Sequence, residues 1–266
     1  MATKLYICDI DVIILKKGDI KSERVGEIGY NKYGTKMKII EYNGVNDIIV
    51  EFQDEHKCRL KSYYSNFKKG VLINPYDKMA QGVGYLGEGQ YNSKNTKAYN
   101  FWFSIITRGY SKDYKNKKPT YKDVTVCEEW HNFQNFAKWY DENYYEIEGE
   151  TMAIDKDILY KGNKIYCPEK CIFVSSSINS LFTKRQNCRG DYPIGVCKNN
   201  EGKFASSCHY KGRTKNLGIF NTPEEAFYAY KQFKENHIKE VAEEYKDRIP
   251  QKLYEAMYRY EVEIDD

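Results

Sequence analysis

A cluster of glycines near the end of the first third of the chain places the strongest limit on how it can fold. The glycines are Gly82, Gly84, Gly87 and Gly89, and the polar stretch 92–97 follows them. Glycine has no side chain to pack and loses much conformational freedom on folding, so it weakens both helices and strands. Residues 81–98 are therefore predicted to be a flexible linker. A length of 266 residues then favours several small domains over one large core.

Charge is distributed unevenly, although the formal net charge of +4 is modest. Basic residues far outnumber acidic ones between Lys156 and Lys215, whereas the chain beyond Asn236 is acidic. A local excess of positive charge is what binding to phosphates requires, and a solvated basic surface is the alternative. No apolar stretch approaches the roughly 20 residues that span a bilayer, and no signal peptide is evident. We therefore expect a cytoplasmic protein with no membrane partner.

Short β-rich runs dominate the first module, residues 1–80. Residues 37–42 and 48–52 are apolar runs on either side of Asn43-Gly44, a dipeptide that favours a hairpin turn. Further short strands extend to Asn74-Pro75, which ends the pattern. We predict a small SH3-like β-barrel, or alternatively a strongly bent sheet, over residues 18–77.

Aromatic residues at helical spacing mark the centre of the chain. Trp102, Ile105 and Ile106 recur on one face of a helix predicted over residues 99–110. A second helix is predicted over residues 128–140, where the repeating aromatics are Trp130, Phe133, Phe136 and Trp139. Such a stripe is typical of a buried core, and stacking on nucleic-acid bases is the alternative.

The C-terminal third reads as three strands and a helix. The strands are predicted at residues 192–198, 203–210 and 215–220. Thr222, Pro223 and Glu225 form the pattern of a helix start with a capping box. Pro250 ends that helix before a last short one, and the acidic end, residues 261–266, is expected to be solvated. The predicted modules after the linker are residues 99–188, 189–248 and 249–266.

A series of short motifs occurs in order within residues 192–230. They are Pro193-Ile194-Gly195-Val196, Gly202-Lys203-Phe204-Ala205, Leu217-Gly218-Ile219-Phe220 and Thr222-Pro223-Glu224-Glu225-Ala226. This series resembles APETALA2-type DNA-binding domains, in which a three-stranded antiparallel sheet packed on one helix lies in the major groove. The resemblance implies double-stranded DNA as the partner, with contacts from Lys198, Lys203, His209, Lys211, Arg213 and Lys215. Cys197 stands where many members have an arginine, and a thiol cannot read guanine as an arginine does.

A second group of motifs lies between residues 99 and 185. They include Val126-Cys127-Glu128-Glu129-Trp130, Ile154-Asp155-Lys156-Asp157, Asn163, Tyr166-Cys167-Pro168-Glu169 and Asn179. This part resembles phage HNH homing endonucleases, which implies a helical and ββα fold of the His-Me finger type. The whole chain is then an α+β multidomain protein of bacteriophage type, acting in the host cytoplasm.

An HNH site hydrolyses DNA with a general base and one divalent cation. The resemblance implies Asp155 and Asn179 as ligands of Mg²⁺ or another divalent cation, and Asp155, Lys156 and Asp157 as candidate catalytic residues. His131 on the preceding helix is a further catalytic candidate if the fold brings it within hydrogen-bond reach. Lys156 occupies the place of the usual histidine and Lys170 that of a frequent asparagine. Asp157 or a metal-bound hydroxide would then have to act as the base. The spacing of four cysteines favours reduced thiols over a zinc site. They are Cys127, Cys167, Cys171 and Cys188.

Three functions remain open from the sequence. The first is a mobile-element HNH endonuclease that cuts or nicks DNA with a divalent metal. The second is a catalytically silent DNA-binding protein, which predicts salt-sensitive binding without cleavage. The third is a phage-encoded anti-defence inhibitor that binds a host defence protein such as a nuclease.

Overall fold

The computed structural model describes residues 23–183 and 191–266. It is a mixed α+β structure with several small sheets, and it separates into two compact units. The first unit contains residues 23–90 and Asn132–Gln134, and the second contains the other described residues. Among the described residues, no helix combines the length and the apolar character needed to cross a membrane.

The first unit is built on an antiparallel sheet of four strands in chain order. The strands are β1 (Ile28–Tyr30), β2 (Lys36–Gly44), β3 (Asp47–Phe52) and β4 (Arg59–Ser62), and helix α1 (Tyr64–Lys68) follows them. The predicted hairpin joins β2 to β3, but its turn lies at Val45 and Asn46. Gly44 is instead the last residue of β2, next to a register irregularity that bends the strand.

The expected SH3-like barrel is wrong, because the described part of this sheet remains open. Its core, which includes Ile39, Val50 and Phe52, is covered by Phe67 of α1 rather than by closure of the sheet on itself. The Phe67 ring is so close to Gly29 that a Cβ atom there would come within 2.9 Å of it. A helix in this position supplies the apolar cover that a closing strand would otherwise have given.

Residues 81–90, which fall in the predicted linker, pack within the first unit. The backbone of Ala80 pairs with that of Gly84, and the N–H of Gly87 donates to the carbonyl of Pro75 over 2.9 Å. Gly87 has a φ of +68° and lies against the Asn132 side chain, where a Cβ atom would overlap the amide group. This glycine is needed both for its backbone conformation and for the close approach.

The second unit begins with a helical part that surrounds two small strand pairs. Its helices are α2 (Lys97–Tyr110), α3 (Lys112–Lys117), α4 (Phe133–Asn143), whose first two residues belong to the first unit, and α5 (Ser176–Leu181). Its strands are β5 (Thr125–Val126), β6 (Met152–Asp155), β7 (Ile165–Tyr166) and β8 (Ile172–Ser175). β5 pairs with β7 in parallel, and β6 pairs with β8 antiparallel.

The aromatic residues of this part form its core, as the helical spacing predicted. Trp102 and Phe136 are fully buried. Trp130 is also buried, but it lies in a short 3-10 turn (Glu128–His131) ahead of α4. The ring of Phe173 on β8 lies 5.0 Å from that of Trp139, between centroids. Buried rings of this kind are not available to stack on bases.

The C-terminal part of the second unit has the predicted order of three strands and a helix. The elements are β9 (Val196–Lys198), β10 (Phe204–Tyr210), β11 (Arg213–Phe220), α6 (Pro223–Tyr245) and α7 (Gln251–Tyr258). The sheet is antiparallel with β10 at its centre. The predicted capping box is present, because Thr222 and Glu225 each bond to the backbone of the other. The hairpin between β10 and β11 turns at Lys211 and Gly212, with φ values of +46° and +82°.

The acidic C-terminal end is docked on the protein, so the expectation that it is solvated is wrong. Val262 is 3% exposed and joins the core between the sheet and α6. Lys161 binds the carboxylate of Asp266 over 2.9 Å, and the Val262 carbonyl accepts a hydrogen bond from Lys231 over 2.7 Å. One apolar side chain and two lysines therefore hold this end in place.

The predicted central and C-terminal modules lie in one compact unit. The hydroxyl of Tyr245, at the end of α6, donates to the carboxylate of Glu150 over 2.5 Å. Lys161, in the loop after β6, also bonds to the carbonyl of Glu261 over 2.9 Å. Contacts between residues so far apart in the chain join the two modules into one unit.

Candidate functional site

The carboxylate of Asp155 lies at the end of β6 and is used to form a turn. Its Oδ1 accepts hydrogen bonds from the backbone N–H groups of Asp157 and Ile158, both over 2.8 Å. Burial and the neighbouring Asp157 carboxylate raise the pKa of Asp155 to about 6. The side chain therefore supports the loop that follows β6 and is partly protonated in mildly acidic solution.

Lys156 and Asp157 form an ion pair next to this turn. The Lys156 side chain is 10% exposed, and its Nζ lies 3.0 Å from Oδ2 of Asp157. An ammonium group has no lone pair, so Lys156 cannot accept a proton from water while it is held in this pair. Where the resemblance to HNH nucleases implies a histidine, the chain thus has a buried lysine paired with its neighbour.

The other residues expected at the site have separate partners. Asn163 donates from Nδ2 to the carbonyls of Lys156 and Ile165, each over 2.7 Å, and so fixes the loop. His131 lies with Nε2 2.8 Å from the hydroxyl of Tyr110. Asn179 is in α5, and no hydrogen bond joins its side chain to Asp155. Hydrogen bonds thus link Asp155, Lys156 and Asp157 within one loop, and His131 is bonded to Tyr110.

The order of elements around Asp155 is strand, strand, helix. β6 and β8 form an antiparallel pair, and α5 begins at the residue after β8. A Mg²⁺ site requires several oxygen ligands that are free to bind the ion. Oδ1 of Asp155 is engaged by two N–H groups and Asp157 by Lys156. Within residues 23–183 and 191–266, no group of three His, Cys, Asp or Glu side chains could hold a metal ion.

A half-buried arginine near this loop was not predicted as a site residue. Arg108 on α2 donates from Nη1 to the hydroxyl of Tyr166 over 3.2 Å. Burial raises the pKa of Tyr166 and the adjacent arginine lowers it. Burial is the larger effect, so the pKa is raised overall. The sequence signal was the placement of Arg108 on the helix face that carries Ile105, where a charged residue needs a polar partner.

Three cysteines of this part are free thiols. Cys167 and Cys171 are buried, and Cys127 is partly buried. Burial raises the pKa of Cys127 to about 11, which disfavours the thiolate form that binds metals. Cys188 lies outside the described residues.

The C-terminal sheet has one face on α6 and one open face. Cys208 of β10 packs in a buried cluster with Phe227 and Tyr230 of α6, and its cross-strand partner is Lys215. Lys215 therefore shares the helix side of the sheet, and its Nζ lies 4.6 Å from the centre of the Phe233 ring. The register places small or neutral side chains on the open face. They are Cys197, Ala205, Ser207, His209, Thr214, Asn216 and Ile219.

The residues predicted to bind DNA are all exposed, but most of them do not lie on the open face. Of the six, only His209 lies on that face, while Arg213 is two residues before Lys215 and shares its side. The other three are at the end of β9 or in turns, namely Lys198, Lys203 and Lys211. We call Lys198, Lys203, Lys211, Arg213 and Lys215 the basic rim of the sheet.

The chain matches no protein-family model, no curated protein and no solved structure.

Proposed function

We propose that this chain binds double-stranded DNA through the basic rim of its C-terminal sheet and does not cleave it. The single observation that carries the proposal is the charge of that rim. Its five side chains are exposed, and no ion pair joins any of them to a carboxylate within the described chain. Glu201 is the one acidic residue between Val196 and Phe220.

Exposed cations of this kind suit the phosphate backbone. Each contact with a phosphate releases condensed counterions, so binding weakens as salt concentration rises. The small side chains of the open face, such as Ala205, Ser207 and Thr214, let a nucleic-acid surface approach closely. His209 and Asn216 are the groups there that can bond to base edges. With Cys197 in place of an arginine, we expect affinity to depend on phosphates more than on sequence.

The surroundings of Asp155 support the absence of cleavage. A base must be able to take a proton from water, and the central candidates hold other roles. Asp155 accepts two backbone hydrogen bonds, and Lys156 is paired with Asp157.

The test is one incubation scored in two ways. Purified protein is mixed with supercoiled plasmid and labelled duplex, with Mg²⁺, with Mn²⁺ or with EDTA, and both nicks and gel shifts are measured. We expect a shift that weakens with salt, is the same with EDTA, and is accompanied by no nicking. Metal-dependent nicking that is lost in Asp155→Ala would favour the endonuclease instead, and absence of both signals would favour a protein partner.

Charge-matched variants identify the binding surface. Lys198→Gln, Lys203→Gln and Arg213→Gln together remove three charges from the rim. Lys117→Gln, Lys122→Gln and Lys138→Gln remove three equally exposed charges from the central part. The first set should weaken the gel shift and the second should leave it nearly unchanged. Equal losses in both sets would show that only net charge matters.

A further inference from the structure

A cavity of about 640 Å³ lies between α5, the second half of β10 and one face of α6. Its walls include Leu181, Cys208, Tyr230, Lys234, His237 and Val241. The last four are spaced at three or four residues along α6, so they share one face of that helix. Cavities of roughly 300–1,000 Å³ are the size in which proteins bind small molecules.

Lys234 is a partly buried cation with no counter-ion. No carboxylate forms an ion pair with it among the residues that the structure covers, although it lies in the wall of the cavity. Burial lowers the pKa of Lys234. A lysine in this position gains stabilisation when an anion enters beside it.

His237 lies one helical turn further along the same wall. It is 7% exposed, and its Nδ1 has no hydrogen-bond partner. The closest carboxylate oxygen, Oε2 of Glu240, is 3.8 Å away, which is beyond hydrogen-bond distance. Burial and the adjacent Lys234 both lower the pKa of His237. A buried ring nitrogen without a partner is costly unless a ligand or water satisfies it.

The remaining charged and polar groups decide what kind of anion fits. Lys211 and Glu244 also line the cavity, and the Ser177 and Ser180 side chains lie at the α5 end. A phosphate monoester carries close to two negative charges and three acceptor oxygens. It can therefore bond to an ammonium, an imidazolium and a hydroxyl at once, which a carboxylate with two oxygens does less well.

We propose that this cavity binds a phosphate monoester, with its phosphate between Lys234 and His237 and its organic group against Tyr230 and Val241. The inference does not depend on the proposed binding of duplex DNA, because the cavity residues are distinct from the basic rim except for Lys211. The phosphate can come from a free nucleotide or from the 5′ end of a nucleic-acid strand, and both sources offer the same chemistry.

Calorimetry and imidazole NMR on the full chain test the proposal with four probes: inorganic phosphate, adenosine 5′-monophosphate, adenosine, and a single-stranded oligonucleotide with or without a 5′-phosphate. We expect both small phosphates to bind and to shift the His237 ring signals, while adenosine does neither. Proton uptake should accompany binding near neutral pH, because a nearby dianion favours protonated His237. A preference of the protein for the 5′-phosphorylated oligonucleotide would identify strand ends as the source, and equal binding of both oligonucleotides would identify free nucleotides.

Lys234→Met should weaken adenosine 5′-monophosphate binding by about tenfold or more, since it removes a charge-assisted hydrogen bond. The matched control is Lys239→Met, the same change in α6 outside the cavity. Gel shifts with duplex DNA on both variants keep the two proposals distinguishable, and both should bind duplex like the parent. The proposal is overturned if neither phosphate probe binds, if adenosine binds as tightly as its monophosphate, or if Lys234→Met binds like the parent while folded.

Discussion

The central loop after β6 and the C-terminal sheet differ in whether their charged side chains are paired within the protein. In the loop, Asp155 accepts two backbone hydrogen bonds and Lys156 is paired with Asp157. In the sheet, the cations of the basic rim are exposed and carry no ion pair within the described residues. Charges that are engaged internally hold a fold together, whereas charges left in solvent are available to a partner. Residue types that suggest catalysis in a sequence can thus be structural, and the binding surface can lie elsewhere.

The largest effect is expected in the core that supports the loop. Phe173→Ala removes a fully buried ring that contacts Phe101, Trp139, Tyr140 and Tyr144. We expect the free energy of unfolding to fall by about 3–5 kcal/mol, because the aromatic neighbours cannot close the cavity. Urea denaturation measures the change, with Tyr228→Ala, at an exposed position, as the control. A decrease in the free energy of unfolding of less than about 1 kcal/mol would contradict a rigid core beneath the loop after β6.

The second test concerns the rim, where we expect affinity to change without stability. The triple variant Lys198→Gln, Lys203→Gln and Arg213→Gln should bind duplex DNA roughly a hundredfold more weakly at low salt. The slope of log affinity against log salt should also decrease, by about 0.9 for each phosphate that the variant no longer neutralises. Fluorescence anisotropy at several salt concentrations measures both quantities. If the urea midpoint moves as much as the affinity, these lysines and this arginine are structural, and the contrast with the loop disappears.

The third test asks what ionisation of Asp155 does to stability. Its pKa is 3.8 when unperturbed and about 6 in the fold, so the folded state binds the proton more tightly between these values. Stability should therefore fall as pH rises through this window, and the full cost should be present above about pH 6. Asp155→Asn keeps the Oδ1 acceptor without the charge, and we expect a gain of the order of 2 kcal/mol at pH 7 that vanishes near pH 4.

Urea midpoints across pH provide this measurement, and the exposed Asp247→Asn serves as the control. A variant that is less stable than the parent at pH 7 would show that the Asp155 charge itself is required. The loop would then resemble a functional carboxylate site more than a structural turn.

The smallest effect is expected where the two regions meet. Lys161→Met removes the ion pair between the loop after β6 and Asp266 at the C-terminal end. Lys161 is partly exposed, so the free energy of unfolding should fall by less than about 1 kcal/mol. Hydrogen exchange of the Val262 amide is the sharper measurement, and it should accelerate while α6 stays protected. Lys164→Met, at an exposed position in the same loop, should change neither quantity.

Local patterns in the sequence predicted the elements well where neighbouring residues determine them. Thr222 and Glu225 define a helix start by bonding to each other across three residues, and the structure contains that start. The aromatic stripes of two helices, one with Trp102 and one with Phe136, predicted a helical core for the same reason. The hairpin of β2 and β3 was also predicted, although its turn is displaced because Gly44 is used in a strand irregularity.

Features that depend on distant residues could not be predicted. The docking of Val262 requires the surface between β10 and α6, and the pairing of Lys161 with Asp266 joins residues far apart in sequence. The closed first module was expected because the pattern of strands does not reveal that Phe67 covers them. At the candidate site the sequence places Asp155 at the end of a strand, but the two N–H groups that occupy its oxygen depend on the three-dimensional turn.

The turn at Lys211 and Gly212 limits the stability of the hairpin between β10 and β11. Both residues have positive φ, a conformation that asparagine adopts readily and that costs lysine roughly 1 kcal/mol. Lys211→Asn should therefore stabilise the hairpin while removing one positive charge from the basic rim of the sheet.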